Sequence, residues 1–200
     1  MTPFVGRRRE VDALTARAVA GLDGESGVVV VAGPPGIGKS TLVDVVLAPL
    51  RSRDPIEVRH AHPDVPGWGL AALRGLIPPA LVPPAPHIVV LEDLERLPLP
   101  ALLALPEAVE GVRAARLLVI AQLCTTEDTP AAVHRMLEDP RLEVTRLRPL
   151  SSRDVEEMVV SAGLGAPGGR VSRAVQRATD GNPGLVRALV DTLVAEGAAS

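Results

Sequence analysis

Nine consecutive residues, Gly33 to Thr41, read GPPGIGKST and constrain the fold more than any other part of the chain. They hold the spacing G-x-x-x-x-G-K-S at Gly33, Gly38, Lys39 and Ser40. Immediately upstream, Val28 to Val31 form a β-branched run bounded by Gly27 and Gly33, the pattern of a short strand buried on both faces. Immediately downstream, LVDVVLAPL places Leu42, Val45, Val46 and Pro49 at helical spacing. Strand, glycine-rich loop and helix in that order make a phosphate cradle. Loop N–H groups wrap an anion, and the helix dipole points at it. A glycine-rich turn of chance composition is the alternative, and the flanking pattern argues against it. Within the loop, Pro35, Gly36, Ile37 and Gly38 form the wall. Lys39 is placed to reach the β- and γ-phosphates of a nucleotide. Ser40 offers its hydroxyl to Mg²⁺, with Thr41 behind it. Lys39 is also the one lysine among 21 basic residues. A compact ammonium fits beneath phosphates where a planar guanidinium would crowd the loop.

Such a loop needs a second strand ending in a carboxylate to hold the metal through water. His87 to Asp93, HIVVLED, supplies it. Glu92 is read as the metal-side acid and Asp93 as the group that orients or deprotonates an attacking water. The bland alternative is a solvated acidic turn at a strand end. Further strand patterns fall at Ile56–Ala61, Arg116–Ala121 and Leu142–Leu147, with helical patterns at Gly69–Ile77 and Leu99–Val112 between them. Strands alternating with helices predict βαβ units and a parallel sheet covered on both faces. After Pro149 the strands stop. Ser151 with Asp154 suggests an N-cap box opening a helix over Arg153–Ala162, and helices follow over Val171–Thr179 and Pro183–Glu196. The organisation is therefore α/β, with a nucleotide-binding core over 1–149 and a three-helix lid over 150–200. Pro78–Pro86 reads as a stiff connector.

Composition narrows the class. With 46% hydrophobic and 22% charged residues, the chain can bury a sizeable core. A net charge of −3 with scattered basic residues argues against direct nucleic-acid binding. The single cysteine, Cys124, cannot form an internal disulfide; no signal core opens the chain, and no apolar run suffices for a membrane span. A soluble, cytoplasmic protein is expected.

Four segments in order, FVGRRREVDAL at 4–14, GPPGIGKST, IVVLED and RATDGNPGLVRALV at 177–190, resemble the AAA-type ATPase module of STAND-class proteins. The version at the front of large LuxR-type bacterial transcription regulators is the most similar. The resemblance spans nearly the whole chain. It implies a P-loop NTPase three-layer sandwich, a five-stranded parallel sheet of order 5-1-4-3-2 and a helical lid closing over ATP or ADP. It also implies that Val5, Gly6 and Arg7 lie against the adenine and that Pro183 of the GNP turn meets the base or ribose.

Three departures from the family stand out. Cys124 occupies a place where arginine is common, leaving Gln122 or Thr125 to sense the γ-phosphate. The interval from Lys39 to Glu92 is short. The sequence also stops at Ser200, where relatives continue into further domains. Glu92 is longer, and Asp93 shorter, than the acids usual at their positions. Other candidates have plainer readings. His60 and His62 would face one side of a strand with Asp64 nearby, but no third metal ligand stands at helical or hairpin spacing. Cys124 reads as a buried small apolar residue, Arg7-Arg8-Arg9 as a solvated helix start with Arg7 also open to a nucleotide role, Trp68 as a packing anchor and Arg187 as a surface arginine. The sequence thus points to an ATP- or ADP-dependent regulatory switch with slow Mg²⁺-dependent hydrolysis. Its partners would be protein: further domains of a longer chain or another copy. A nucleotide-holding scaffold without turnover is the alternative, and a small-molecule kinase is disfavoured by the all-helical lid.

Overall fold

The long β-branched and leucine-rich runs form strands because both of their faces are covered. The computed structural model describes residues 5–51, 56–60, 87–114 and 117–197. Its sheet contains β1 (Gly27–Gly33), β2 (Ile56–His60), β3 (His87–Glu92), β4 (Leu117–Cys124) and β5 (Glu143–Arg146). The order is β2-β3-β4-β1-β5, and every neighbouring pair is parallel. All seven residues of β1 are buried, with Val30 paired to Ala121 on one side and Val144 on the other. This strand sits inside the sheet, so the loop that leaves it is anchored on both sides.

Helix α1 (Arg8–Leu22) precedes β1, and α2 (Lys39–Leu47) follows the glycine loop. Helix α2 stops ahead of Pro49, as a proline two residues on requires. The pattern over 99–112 forms two helices rather than the single one predicted, α3 (Leu99–Leu103) and α4 (Leu105–Ala114). Pro106 accounts for the break, since it has no N–H to give and its ring clashes with the carbonyl four residues back. Leu102, Leu105 and Val109 still pack into one core with Val28, Val30 and Leu91 of the sheet. A short helix unforeseen in the sequence, α5 (Ala131–Met136), starts after Pro130. Six residues are too few for periodicity to reveal.

The chain divides into two compact units. One comprises Glu10–Pro35 and Lys39–Arg146 and carries the sheet. The other comprises the described residues up to Arg9, Gly36–Gly38 and the chain from Leu147 onward. In this second unit, α6 (Ser152–Ser161), α7 (Arg170–Thr179) and α8 (Pro183–Ala195) enclose a core of Leu150, Val155, Met158, Val159, Val175 and Val186. A complete capping box between Ser151 and Asp154 opens α6. Asn182 caps α8 by accepting from the N–H groups of Gly184 and Leu185, and Pro183 takes the first helical position.

The predicted helix over 69–77, the connector over 78–86, His62, Asp64, Trp68 and the side chain of His60 lie outside the described residues. Among the described residues, no helix is long and apolar enough to cross a membrane.

Candidate functional site

Strand β1 delivers the chain into the loop at Gly33, and α2 begins at Lys39. The Lys39 ammonium folds over the loop, donating to the carbonyls of Gly33 at 2.9 Å and Pro34 at 3.1 Å. One residue on, the Ser40 hydroxyl donates to Gln122 Oε1 at 2.8 Å, and Gln122 Nε2 donates to Glu92 Oε1 at 3.2 Å. Strand β4 lies between β1 and β3, so Gln122 near its carboxyl end reaches both neighbours. Its side chain is 3% exposed, and these bonds satisfy a polar group that would be costly to bury alone. A serine hydroxyl and a carboxylate therefore stand one amide apart at the carboxyl edge of the sheet. Both are hard oxygen donors, the kind Mg²⁺ takes together with phosphate and water, so the residues present fit the metal. Among the described residues no group of three or more His, Cys, Asp or Glu forms a metal cage. Magnesium held largely by phosphates needs none.

Asp93 follows Glu92 in the left-handed region, φ 56° and ψ 40°, which a non-glycine residue seldom adopts. Aspartate tolerates it better than most residues, and such backbone tends to occur at functional positions. Its carboxylate lies 3.9 Å from Arg96, with both side chains about half exposed. This is a weak pair that leaves the acid available to solvent.

Cys124 departs from the buried apolar residue expected of it. It is half-buried, its N–H donates to Glu95 Oε2 at 2.9 Å, and Lys39, Glu95 and Asp93 act on its thiol. Burial pushes the thiol pKa up; Lys39 opposes the shift, and the Glu95 and Asp93 carboxylates add to it. A protonated thiol is a poor nucleophile. Iodoacetamide at pH 8 should therefore alkylate Cys124 more slowly than free cysteine, as followed by intact mass; equal or faster labelling would contradict this. Thr125, the other substitute for the missing arginine, donates its N–H to the Gly33 carbonyl at 3.1 Å.

The middle of the loop is held within the helical unit. Arg7 is 5% exposed and donates to the carbonyls of Ile37 at 3.2 Å and Arg148 at 2.6 Å. A solvated helix start describes Arg8 and Arg9, which are exposed, but not Arg7. Val5 packs against the helical core, and Gly6 lies against Asp154 and Leu150. Gly184, just after Pro183, donates its N–H to the Gly36 carbonyl at 2.9 Å. Gly36 has φ +71°, which favours glycine, and a Cβ there would fall 2.8 Å from Oδ1 of the capping Asn182 and displace it. Arg187 lies 3.7 Å from Asp191 with both side chains mostly exposed, the surface arginine expected. Sequence reasoning missed Glu95 and Gly184, because each works through a main-chain group. Gln122 left a trace in the sequence, as the one polar residue inside the apolar run LLVIAQLC.

An inner strand ending in a phosphate loop, with a carboxylate strand two places away, defines a P-loop nucleotide-binding fold. Residues 3–78 match the family model described as the AAA ATPase domain. No curated protein sequence matches the chain. Among solved structures, the chain is similar to a point variant of RuvB from Thermotoga maritima, with TM-score 0.64 and 17% identity, covering 98% of this chain and 65% of that one. A Drosophila ORC structure bound to DNA aligns with TM-score 0.66 and 18% identity, covering 100% of this chain and 58% of the other. The Aeropyrum pernix ORC1 protein in complex with DNA gives TM-score 0.63 and 13% identity, with 98% and 62% covered. At these identities the likeness is one of fold, and the chain spans less than two thirds of each of these structures. The family match covers the part of the chain that holds the phosphate loop, and the solved structures add a likeness of fold alone.

Proposed function

We propose that the chain is a nucleotide-dependent regulatory switch that binds ATP or ADP with Mg²⁺ and hydrolyses ATP slowly, within a STAND-class regulator of the LuxR type. The observation that carries this reading is the chain of hydrogen bonds from Ser40 through Gln122 to Glu92. It joins the hydroxyl of the phosphate loop, across the intervening strand β4, to the acid at the end of β3, the two protein groups that would hold Mg²⁺. When bound, the ion neutralises charge on the β- and γ-phosphate oxygens. Lys39 leaves its loop carbonyls to meet those phosphates, and the N–H groups of residues 36–41 surround them. Asp93 accepts hydrogen bonds from a water aligned on the γ-phosphate and draws off its proton as that water attacks. Gln122 positions Ser40 and Glu92. Val5, Gly6, Arg7 and Pro183 border the nucleoside in this reading. ATP and ADP differ in contacts to the γ-phosphate, and only that difference can bias one state of the protein over another.

The output is to protein: further domains of a longer chain or a second copy. Two of the structural relatives are complexes with DNA, but the net charge of −3 and dispersed arginines here favour no direct DNA contact. A scaffold that holds nucleotide without turnover is the second reading. It is favoured by the reversed lengths of Glu92 and Asp93 and by cysteine at position 124.

Phosphate release separates the two. Asp93→Asn tolerates the left-handed backbone and should lower turnover by about 10²-fold or more, the usual contribution of a positioned base, while ATP still binds. Tight ATP binding by the unaltered protein, with release no faster than background, would remove the enzymatic reading and leave the scaffold.

A further inference from the structure

Helix α7 opens at Gly169, which offers no side chain to cap the first-turn N–H groups. Beside that turn, wholly within the helical unit, lies a cavity of about 340 Å³, a size suited to a small metabolite. None of its lining residues belongs to the phosphate loop or to the Glu92–Asp93 pair. Arg153, Arg173 and Arg177 line it, with Glu156 as the one acid among the lining residues. Glu156 accepts from the Gly168 N–H, and Arg173 donates to the Gly168 carbonyl, so these two side chains fasten the loop before α7. Arg153 and Arg177 have no ion-pair partner among the described residues.

A second, independent observation points to a ligand. The Ser172 hydroxyl and the Gln176 side-chain oxygen are buried with no hydrogen-bond partner among the described residues, and both residues line this cavity. Ser172 is 6% exposed. Lying four residues apart, the two share one face of α7. Buried polar atoms are rarely left unpaired, and two in one cavity mark a place where a further group completes the bonding.

We propose that this cavity binds a small phosphomonoester that also carries a hydroxyl group. Arg153 and Arg177, together with the positive end of α7, match a doubly charged phosphate. Ser172 donates to a phosphate oxygen. Gln176 Oε1 accepts from the ligand hydroxyl, which a phosphomonoester carries on its organic part beyond the dianionic head, whereas the O–H of HPO₄²⁻ lies on the phosphorus itself. Glu156 is engaged with Gly168 and repels a second anionic group on its side.

The test is an amide NMR titration of the full chain with glycerol 3-phosphate, inorganic phosphate and glycerol. It is run in the Lys39→Ala background so that the phosphate loop does not compete. Glycerol 3-phosphate should shift the amides of residues 168–173 and bind more tightly than inorganic phosphate, and glycerol should leave them unmoved. Arg153→Ala with Arg177→Ala should weaken the interaction about tenfold or more. Ser172→Ala should also weaken it without lowering the thermal midpoint, since the hydroxyl has no partner among the described residues. Gln176→Leu should erase the preference over inorganic phosphate. Absence of saturable shifts at 168–173, an equal response to inorganic phosphate, or indifference to the double arginine variant would each overturn the proposal. The site is read residue by residue, so failure here is distinct from failure of nucleotide binding at residues 36–41.

Discussion

Lys39→Ala should weaken ATP binding by about 10- to 100-fold, the loss of one or two charge-assisted hydrogen bonds to phosphate. Fold stability should change little. Among the described residues, Lys39 donates hydrogen bonds to the carbonyls of Gly33 and Pro34 in its own loop, and these can turn to water. The measurement is a thermal shift with and without Mg·ATP. The unaltered chain should gain stability with ligand by mass action, and the variant should start near the same midpoint and gain almost nothing. A variant that keeps the full ligand-induced shift would show that the ammonium is not a phosphate contact. Lys39→Arg is the sharper companion. It keeps the charge but brings a planar fork that the tight turn cannot seat, so it too should lose most of the shift.

The second large effect lies at Gly181. Its φ is +72°, and a Cβ there would come 2.4 Å from the Leu150 carbonyl oxygen and 3.2 Å from the Leu150 nitrogen. Both are backbone atoms and cannot swing aside, and Leu150 N–H donates to the Gly181 carbonyl at 2.8 Å. Gly181→Ala should cost about 2 to 4 kcal/mol, a left-handed penalty compounded by a displaced backbone. Gly163 is the control. Its φ is +79°, but nothing lies within 4 Å of its Cβ position. Gly163→Ala should therefore cost only the conformational part, about 1 kcal/mol. Urea unfolding followed by circular dichroism measures both. Equal losses would mean that the approach of Leu150 contributes nothing.

What could be read from the sequence follows from where the physics acts. The parallel sheet was legible because strands buried on both faces must be apolar throughout, as in VVVVA and LLVIA. The phosphate loop was legible because its backbone admits few residues besides glycine, and because lysine stands there in a chain that otherwise uses arginine. The split between α3 and α4 was legible in principle, since Pro106 dictates it. The setting of Arg7 was not. Its partners are the carbonyls of Ile37 and Arg148, and every residue has a carbonyl. The same holds for Glu95 on the Cys124 amide and for Gly184 on Gly36. Contacts to main chain leave no compositional trace at the receiving end.

The grip of Arg7 and Gly184 on Ile37 and Gly36 bears on how the motif should be understood. The nine residues from Gly33 to Thr41 are not a self-sufficient cradle. The peptide planes at their centre are oriented by donors 30 positions upstream and 148 positions downstream. A sequence pattern marks where the anion would sit, while the carbonyls of Gly36 and Ile37 are oriented by residues far from the motif on either side of it. Two chains with the same nine letters can therefore differ in how firmly they hold a phosphate, according to what stands at positions equivalent to Arg7 and Gly184.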